Sequence, residues 1–265
     1  MSDRSVALQV QVFRDIDQLL ASLTPEEWAA ETECPGWTVQ DNVSHIIGTE
    51  SMILGREAPA HDAGTKPWVR NPIGEGNEIH VDYRRSWPPD KVLDEYREVT
   101  SERIAALEAM SDDDLGAESW TPVWPGTVRD LINVRIMDCW VHEQDIRRAV
   151  GKPGGLEGPV AMHAFGRHAG AMGFVVGKKV GAPDGTTVVV DVTGAGTIAV
   201  GVDGKRANAL PEPPANPDVR LTMDLETFNR LCCGRGEPSE VASGVKIDGD
   251  EELGRRVVDQ MNFMI

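Results

Sequence analysis

VRDLINVRIMDCWVHEQDIRRAV, residues 128 to 150, is the stretch on which the fold of this 265-residue chain turns. Pro125-Gly126 ahead of it is a turn and Thr127 an N-cap residue, so the spacing predicts a helix reaching about Val150. At about 100° per residue, Val134 and Val141 mark one edge of an apolar arc, and Ile132, Cys139 and Ile146 mark the other. Asp138 and His142 fall between these edges, with Arg135 and Asp145 on the same arc. Arg129, Asn133, Glu143, Gln144 and Arg147 take the opposite face, and Trp140 also lies off the arc. An ordinary amphipathic helix has leucines where Asp138 and His142 stand.

Working outward, the first half of the chain reads as helices. Val6, Val10, Phe13, Asp17 and Leu20 keep helical spacing, and Thr24-Pro25-Glu26-Glu27 is a cap-like start to a short segment. Pro35-Gly36-Trp37 is a turn before Thr38, the N-cap of a helix to about Leu54; another helix is expected from Pro89 to Met110. Pro, Gly and Asn break any pattern over residues 56 to 78, which read as a long loop. Four long helices with one excursion predict a bundle.

The second half has a different grammar. All seven tryptophans and both tyrosines precede Val141, and the turn-rich run 149 to 159 (VGKPGGLEG within it) looks like a seam. The expected domains are a helical bundle over 1–152 and a small α+β domain over 153–265. After a helix at 159–178, residues 187–192, 197–202 and 219–223 read as strands, with Asp203-Gly204 as a hairpin turn. Asp224 caps a helix through Leu231, and a last helix runs from about Asp250 to Met261. The fold class is therefore α+β, a four-helix bundle followed by a domain with an antiparallel sheet. Gly194-x-Gly196 lies between two strands and opens no helix, which rules out a dinucleotide fingerprint.

Net charge is −17, and 28 of the acidic residues against 14 of the basic ones fall in the first 150 positions. Such a surface repels phosphate backbones, so no nucleic-acid partner is expected. The polar N-terminus and the lack of any bilayer-length apolar run predict no membrane association. Four cysteines, two of them adjacent, make no disulfide framework and fit a reducing cytoplasmic setting.

A carboxylate and an imidazole inside a bundle are costly unless each finds a partner. Three are open to Asp138 and His142: each other, a second polar group such as Arg135, or a metal ion. A carboxylate and a His one turn apart can reach the same ion. His45, at the margin of its own helix's apolar arc, is the best third ligand, and Gly48 beside it lets a neighbouring helix approach closely. His61 and His80 belong to the long loop region, His163 and His168 to the helix after the seam. Cys139 reads as a small core residue, and Asp145 as either an acceptor for His142 or an ion-pair partner of Arg135 or Arg148.

Two segments, Cys34-Pro35-Gly36-Trp37-Thr38-Val39-x-Asp41-x-Val43-x-His45-Ile46 and Asp138-Cys139-Trp140-Val141-His142-Glu143-Gln144-Asp145-Ile146-Arg147, together resemble the mycothiol-dependent maleylpyruvate isomerase family of actinobacteria. Its N-terminal domain is a DinB-like metal-binding bundle. Pro217-Asp218-Val219-Arg220-Leu221-Thr222-Met223-Asp224 and Val245-Lys246-Ile247-Asp248-Gly249-Asp250 resemble its C-terminal domain, related in fold to sterol carrier proteins. The resemblance implies a divalent metal, usually zinc, on His45, Asp138 and His142. The family's isomerases carry Glu at the position of Asp138, one methylene longer.

The implied function is metal-dependent use of a low-molecular-weight thiol, mycothiol, for S-transfer to, or thiol-assisted isomerisation of, a small electrophile. An open coordination position on the metal would take the thiol and lower its pKa. Arg220 is the candidate contact for an anionic substrate. Two other classes stay in view: a non-catalytic small-ligand-binding protein with a degenerate metal site, and a metal-dependent hydrolase in which water replaces the thiol.

Overall fold

Side-chain caps set where the helices of the first half begin. Thr24, Thr38, Ser111 and Thr127 each accept from the backbone N–H three residues on, and Glu27, Asp41, Asp114 and Asp130 accept in return from the cap's own N–H. Each such reciprocal pair satisfies two otherwise orphaned donors and is worth about 1 kcal/mol.

The computed structural model describes residues 3–122, 125–204 and 206–264, and divides into two units, Met1–Gly155 and Leu156–Ile265. In the first unit α1 is Arg4–Leu20, α2 Pro25–Trp28, α3 Val39–Ile53, α4 Pro72–Arg84, α5 Pro89–Glu108 and α6 Asp112–Gly116. Two short antiparallel strands, β1 (Glu118–Ser119) and β2 (Gly126–Thr127), lead into α7, Val128–Ala149. The bundle closes as a ring in which α1 packs on α7, α7 on α3, α3 on α5 and α5 on α1. Its core includes Phe13, Ile16, Ile46, Ile47, Tyr96, Val99, Ile132 and Ile136. The buried Tyr96 hydroxyl donates to the Phe13 carbonyl at 2.9 Å, tying α5 to α1.

Two expectations need correction here. The loop expected over 56–78 ends early, because Asn71 caps the amide of Gly74 and Pro72 starts α4. Gly74 and Gly76 obscure the period, and the helix is held instead by burying Glu78, Val81 and Arg84. The outer face expected for Glu143 and Gln144 is also absent: both are buried, as is Trp140. The chain after α7 folds back over that face. The Trp140 indole donates to the Gly155 carbonyl at 2.7 Å, and Lys152 reaches the Ser22 carbonyl and the Glu27 carboxylate.

The second unit begins with α8, Gly158–Phe174, which runs on into a π-helical turn, Val175–Lys179. There follow β3 (Thr187–Thr193), β4 (Gly196–Asp203), β5 (Arg206–Ala209), β6 (Val219–Asp224), α9 (Leu225–Cys233), α10 (Pro238–Ala242), β7 (Lys246–Gly249) and α11 (Glu251–Asp259). The sheet order is β5-β4-β3-β6-β7. All pairings are antiparallel except β3 with β6, where Val190 lies opposite Leu221. That pair is parallel because the β4–β5 hairpin intervenes, after which the chain returns to the far side of β3. Val219, Leu221 and Met223 alternate inward on β6. No helix among the described residues is long and apolar enough to cross a membrane.

His168 on α8 is fully buried and its Nε2 meets the side-chain Oδ1 of Asn229 on α9 at 3.0 Å. Burial holds its pKa down, to about 4, against the opposing pull of that hydrogen bond. The unfolded state therefore binds the extra proton between about pH 4 and 6.5, and stability rises with pH across that window. In His168→Gln the unfolding free energy should rise less between pH 4 and 6.5, by roughly 2–3 kcal/mol at most, as read by denaturant titration at several pH values. A second expectation concerns Gly48 on α3, where an added Cβ would sit 2.5 Å from Cβ and Cγ of His80 on α4. Gly48→Ala should cost about 1–3 kcal/mol through overpacking, measurable as a drop in thermal midpoint.

Candidate metal centre

His45 enters the site from α3 and the pair Asp138 and His142 from α7, across a packed helix contact. The structure brings the three together. His45 Nε2 lies 3.2 Å from Asp138 Oδ2, and His142 Nε2 lies 3.8 Å from Asp138 Oδ1. One ligand atom from each lies within 4.8 Å of the others. Zinc takes bonds of about 2.0–2.2 Å in a tetrahedral array, which sets its ligand atoms a little over 3 Å apart. The shorter Asp138 thus still faces both imidazoles.

The two histidines are not equivalent. His142 Nδ1 lies 2.7 Å from Oδ1 of Asn42, whose own amide nitrogen donates to the Thr38 carbonyl and the Thr32 hydroxyl. With its NH2 so committed, Asn42 presents an acceptor, so His142 carries its proton on Nδ1 and turns the Nε2 lone pair toward Asp138. Asp145 adds a second acceptor 3.4 Å from the same nitrogen while its other oxygen pairs with Arg148. Both roles considered for Asp145 are therefore present at once, with Arg148 and not Arg135 as the cation. His45 donates from Nε2 to Asp138, and its buried Nδ1 has no hydrogen-bond partner. Burial pushes its pKa down to about 4, against the pull of Asp138, so it is neutral at physiological pH.

Asp138 is the most exposed of the three, with 20% of its side chain open against 7% for each imidazole. Although burial pulls the other way, Arg135 and the two imidazoles hold its carboxyl well below the usual range, and it is an anion. Trp37 lies beside both imidazole rings, centroids 5.2 and 5.8 Å away, and its indole donates at 2.6 Å to the buried Glu78. Trp68 donates to the same oxygen at 2.7 Å and packs under Gly36, whose φ of +75° and missing Cβ leave room for that ring.

Cys34, His142 and Asp145 form a second grouping of possible ligands. It needs the Nδ1 edge of His142, already committed to Asn42, whereas the Nε2 edge is available to the first grouping. Cys139 is buried as expected, its thiol pushed up by burial and contacted by Arg135 Nη2 at 3.4 Å. Of the remaining histidines, His61 pairs with Asp82 at 2.8 Å and His80 packs against Gly48. Arg220, on β6 of the other unit, is paired with Asp191 on β3 and one-third exposed. Asn42 escaped the sequence reading, yet a signal exists: it stands three residues before His45, a spacing that puts both on one helical face.

The model of the mycothiol maleylpyruvate isomerase N-terminal domain matches residues 10–147, and that of its C-terminal domain matches residues 163–256. The chain belongs to the mycothiol maleylpyruvate isomerase family. Two crystal structures of mycothiol-dependent maleylpyruvate isomerase, one a histidine-to-alanine mutant, share the fold of this family member. The mutant superposes with a TM-score of 0.60 at 16% identity and the other with 0.55 at 17%, each over 92% of this chain and 91% of theirs. An uncharacterized protein of Mycobacterium tuberculosis, present in two strains, is 27% identical over 141 residues. The match spans about half of each sequence, 52% of this chain and 52% of the relative.

Removing the acceptor that sets the His142 tautomer should loosen any cation held on Nε2. Asn42→Ala is expected to weaken zinc binding about 10- to 100-fold with the fold retained, read by competition against a chromophoric chelator.

Proposed function

We propose that His45, Asp138 and His142 hold a divalent cation, zinc by its preference for imidazole and carboxylate in a three-ligand site. The protein then uses a low-molecular-weight thiol, mycothiol, for S-transfer to, or thiol-assisted isomerisation of, a small electrophile. The observation that carries this reading is the convergence of three ligand atoms with the His142 tautomer set by Asn42. Family membership supplies the thiol.

A cation held there by His45, Asp138 and His142 would stabilise a bound thiolate well below the free thiol pKa of about 8.5. The chain's own groups arrange the rest. Entry is from the side of Asp138, the one ligand with a substantial exposed edge. Trp37 shields the imidazole rings, and Asn42 keeps the His142 proton on Nδ1, away from the reacting side. The thiolate sulfur forms a bond to an electrophilic alkene carbon of the substrate while the carbon–carbon π pair moves onto a conjugated carbonyl as an enolate. Rotation about the resulting single bond, then return of the enolate pair to re-form the double bond, expels the thiolate and gives the geometric isomer; protonation of the enolate carbon from solvent with the carbon–sulfur bond kept gives S-transfer. The incoming thiol supplies the nucleophile, so the buried Cys139 need not act. Arg220 is the proposed contact for an anionic substrate, through the part of its guanidinium that Asp191 leaves open.

Purified chain should carry one equivalent of zinc or a similar ion, and His142→Ala, Asp138→Ala and His45→Ala should each lose most of it by elemental analysis. Turnover of electrophiles such as maleylpyruvate should require both the ion and added mycothiol. Activity with metal but no thiol would favour hydrolysis instead, and absence of metal after reloading with zinc would retire the catalytic reading.

A further inference from the structure

A line of buried ions runs away from the site, across three helices. Arg103 of α5 donates from Nε to Glu50 Oε2 at 3.2 Å, and Arg135 of α7 donates from Nε to the other oxygen of Glu50 at 2.7 Å. Arg135 then gives Nη1 to Asp138 Oδ2 and Nη2 to the Cys139 sulfur. Glu50 is fully buried, and Arg103 and Arg135 are nearly so. Two guanidiniums and two carboxylates make the line neutral, which explains how it survives burial. Neutrality alone does not explain its geometry. Two of the three nitrogens of the Arg135 fork are engaged by Glu50 and Cys139, so its place is set from α3 and from its own helix before Asp138 is considered.

We propose that Arg135 is a positioning residue for Asp138, and that Glu50, backed by Arg103, holds Arg135 in place. The proposal rests on the cation site put forward above. Arg135 and His45 together occupy Oδ2, so Oδ1 is the oxygen presented to His142 Nε2, at 3.8 Å. An Asp carboxylate has one torsion fewer than Glu and reaches less far. Here its orientation is imposed from outside, by a planar donor that a lysine could not imitate. Holding one oxygen also opposes chelation through both, which would fill the position a thiol needs.

Charge and position predict opposite signs. If Arg135 acted only as a nearby cation, removing it would strengthen binding of a second cation; if it positions Asp138, removing it weakens binding. The experiment measures zinc affinity by chelator competition and the visible spectrum of the cobalt-substituted protein. The variants are Arg135→Lys, Arg135→Gln and, as a stability control, Tyr96→Phe, with unfolding midpoints of each metal-free protein alongside.

Arg135→Lys, which keeps the charge and loses the fork, should bind zinc about 10- to 100-fold more weakly and change the cobalt bands. Arg135→Gln should also weaken binding. Tyr96→Phe, which removes the buried hydrogen bond to the Phe13 carbonyl and touches neither the site nor the line of ions, should lower the midpoint yet stay within about 3-fold of wild type in affinity, with unaltered bands. Should either single variant at Arg135 not fold, the paired variant Glu50→Gln with Arg135→Gln, which conserves net charge, is expected to lose affinity in the same way. Wild-type affinity and bands in the Arg135 variants, or tighter binding in Arg135→Gln, would overturn the positioning role. Failure of the wild-type protein itself to take up zinc would instead overturn the cation site on which the role depends.

Discussion

Helix α7 is buried nearly all round while carrying Arg135, Asp138, His142, Glu143 and Asp145 along its middle. Burying an ion without a partner costs several kcal/mol, so the bundle can form only in the arrangement that matches each of them. Glu50 and Asp138 take Arg135, Arg148 takes Asp145, Arg147 takes Glu143, and Asn42 takes the His142 proton. The match of Glu143 with Arg147 is incomplete. Burial drives the Glu143 carboxyl up to about 7 even with Arg147 beside it. The matching therefore selects one rotation of α7 against α3 and α5, and that rotation is what brings Asp138 and His142 to His45.

A second network fixes the wall beside the imidazoles. Glu78 on α4 accepts from the indoles of Trp37 and Trp68 and from Arg85, which also reaches Asp41 at the start of α3 and Asp82. A carboxylate that accepts from several donors is held in one orientation. In this way a helix that lies outside the four-helix ring sets the position of Trp37, the ring that covers both histidines. The Gly36 turn is part of the same device, since any side chain there would displace Trp68.

The family fold supplies a bundle whose facing helices can carry a metal site, and such a fold hosts more than one chemistry. In this chain the carboxylate of Asp138 faces two nonequivalent histidines, with a neutral file of ions behind them. His142 is prepared for ligation by its tautomer. His45 shares a proton with Asp138, so a cation entering here takes the place of that proton.

The helix starts were legible because Thr24, Thr38 and Thr127 act within three residues of themselves, where sequence and structure coincide. The unusual Asp138–His142 pair was legible too, since one helical turn relates them. Helix α4 was not, because two glycines blur its period and packing on α3 holds it. The parallel β3–β6 pair was equally hidden, as strand order depends on where the chain returns after a hairpin. By itself the sequence determined the long helices α1, α3, α5 and α7 and the polar intrusion on α7, and pointed to His45 as the histidine to join it. Only the tertiary structure decided that Asn42 sets one imidazole and that Glu50 and Arg103 stand behind the carboxylate. Asn42 lies 100 residues from His142, Glu50 85 from Arg135 and Arg103 53 from Glu50. At such separations the choice is made by helix rotation and packing, which local periodicity does not encode.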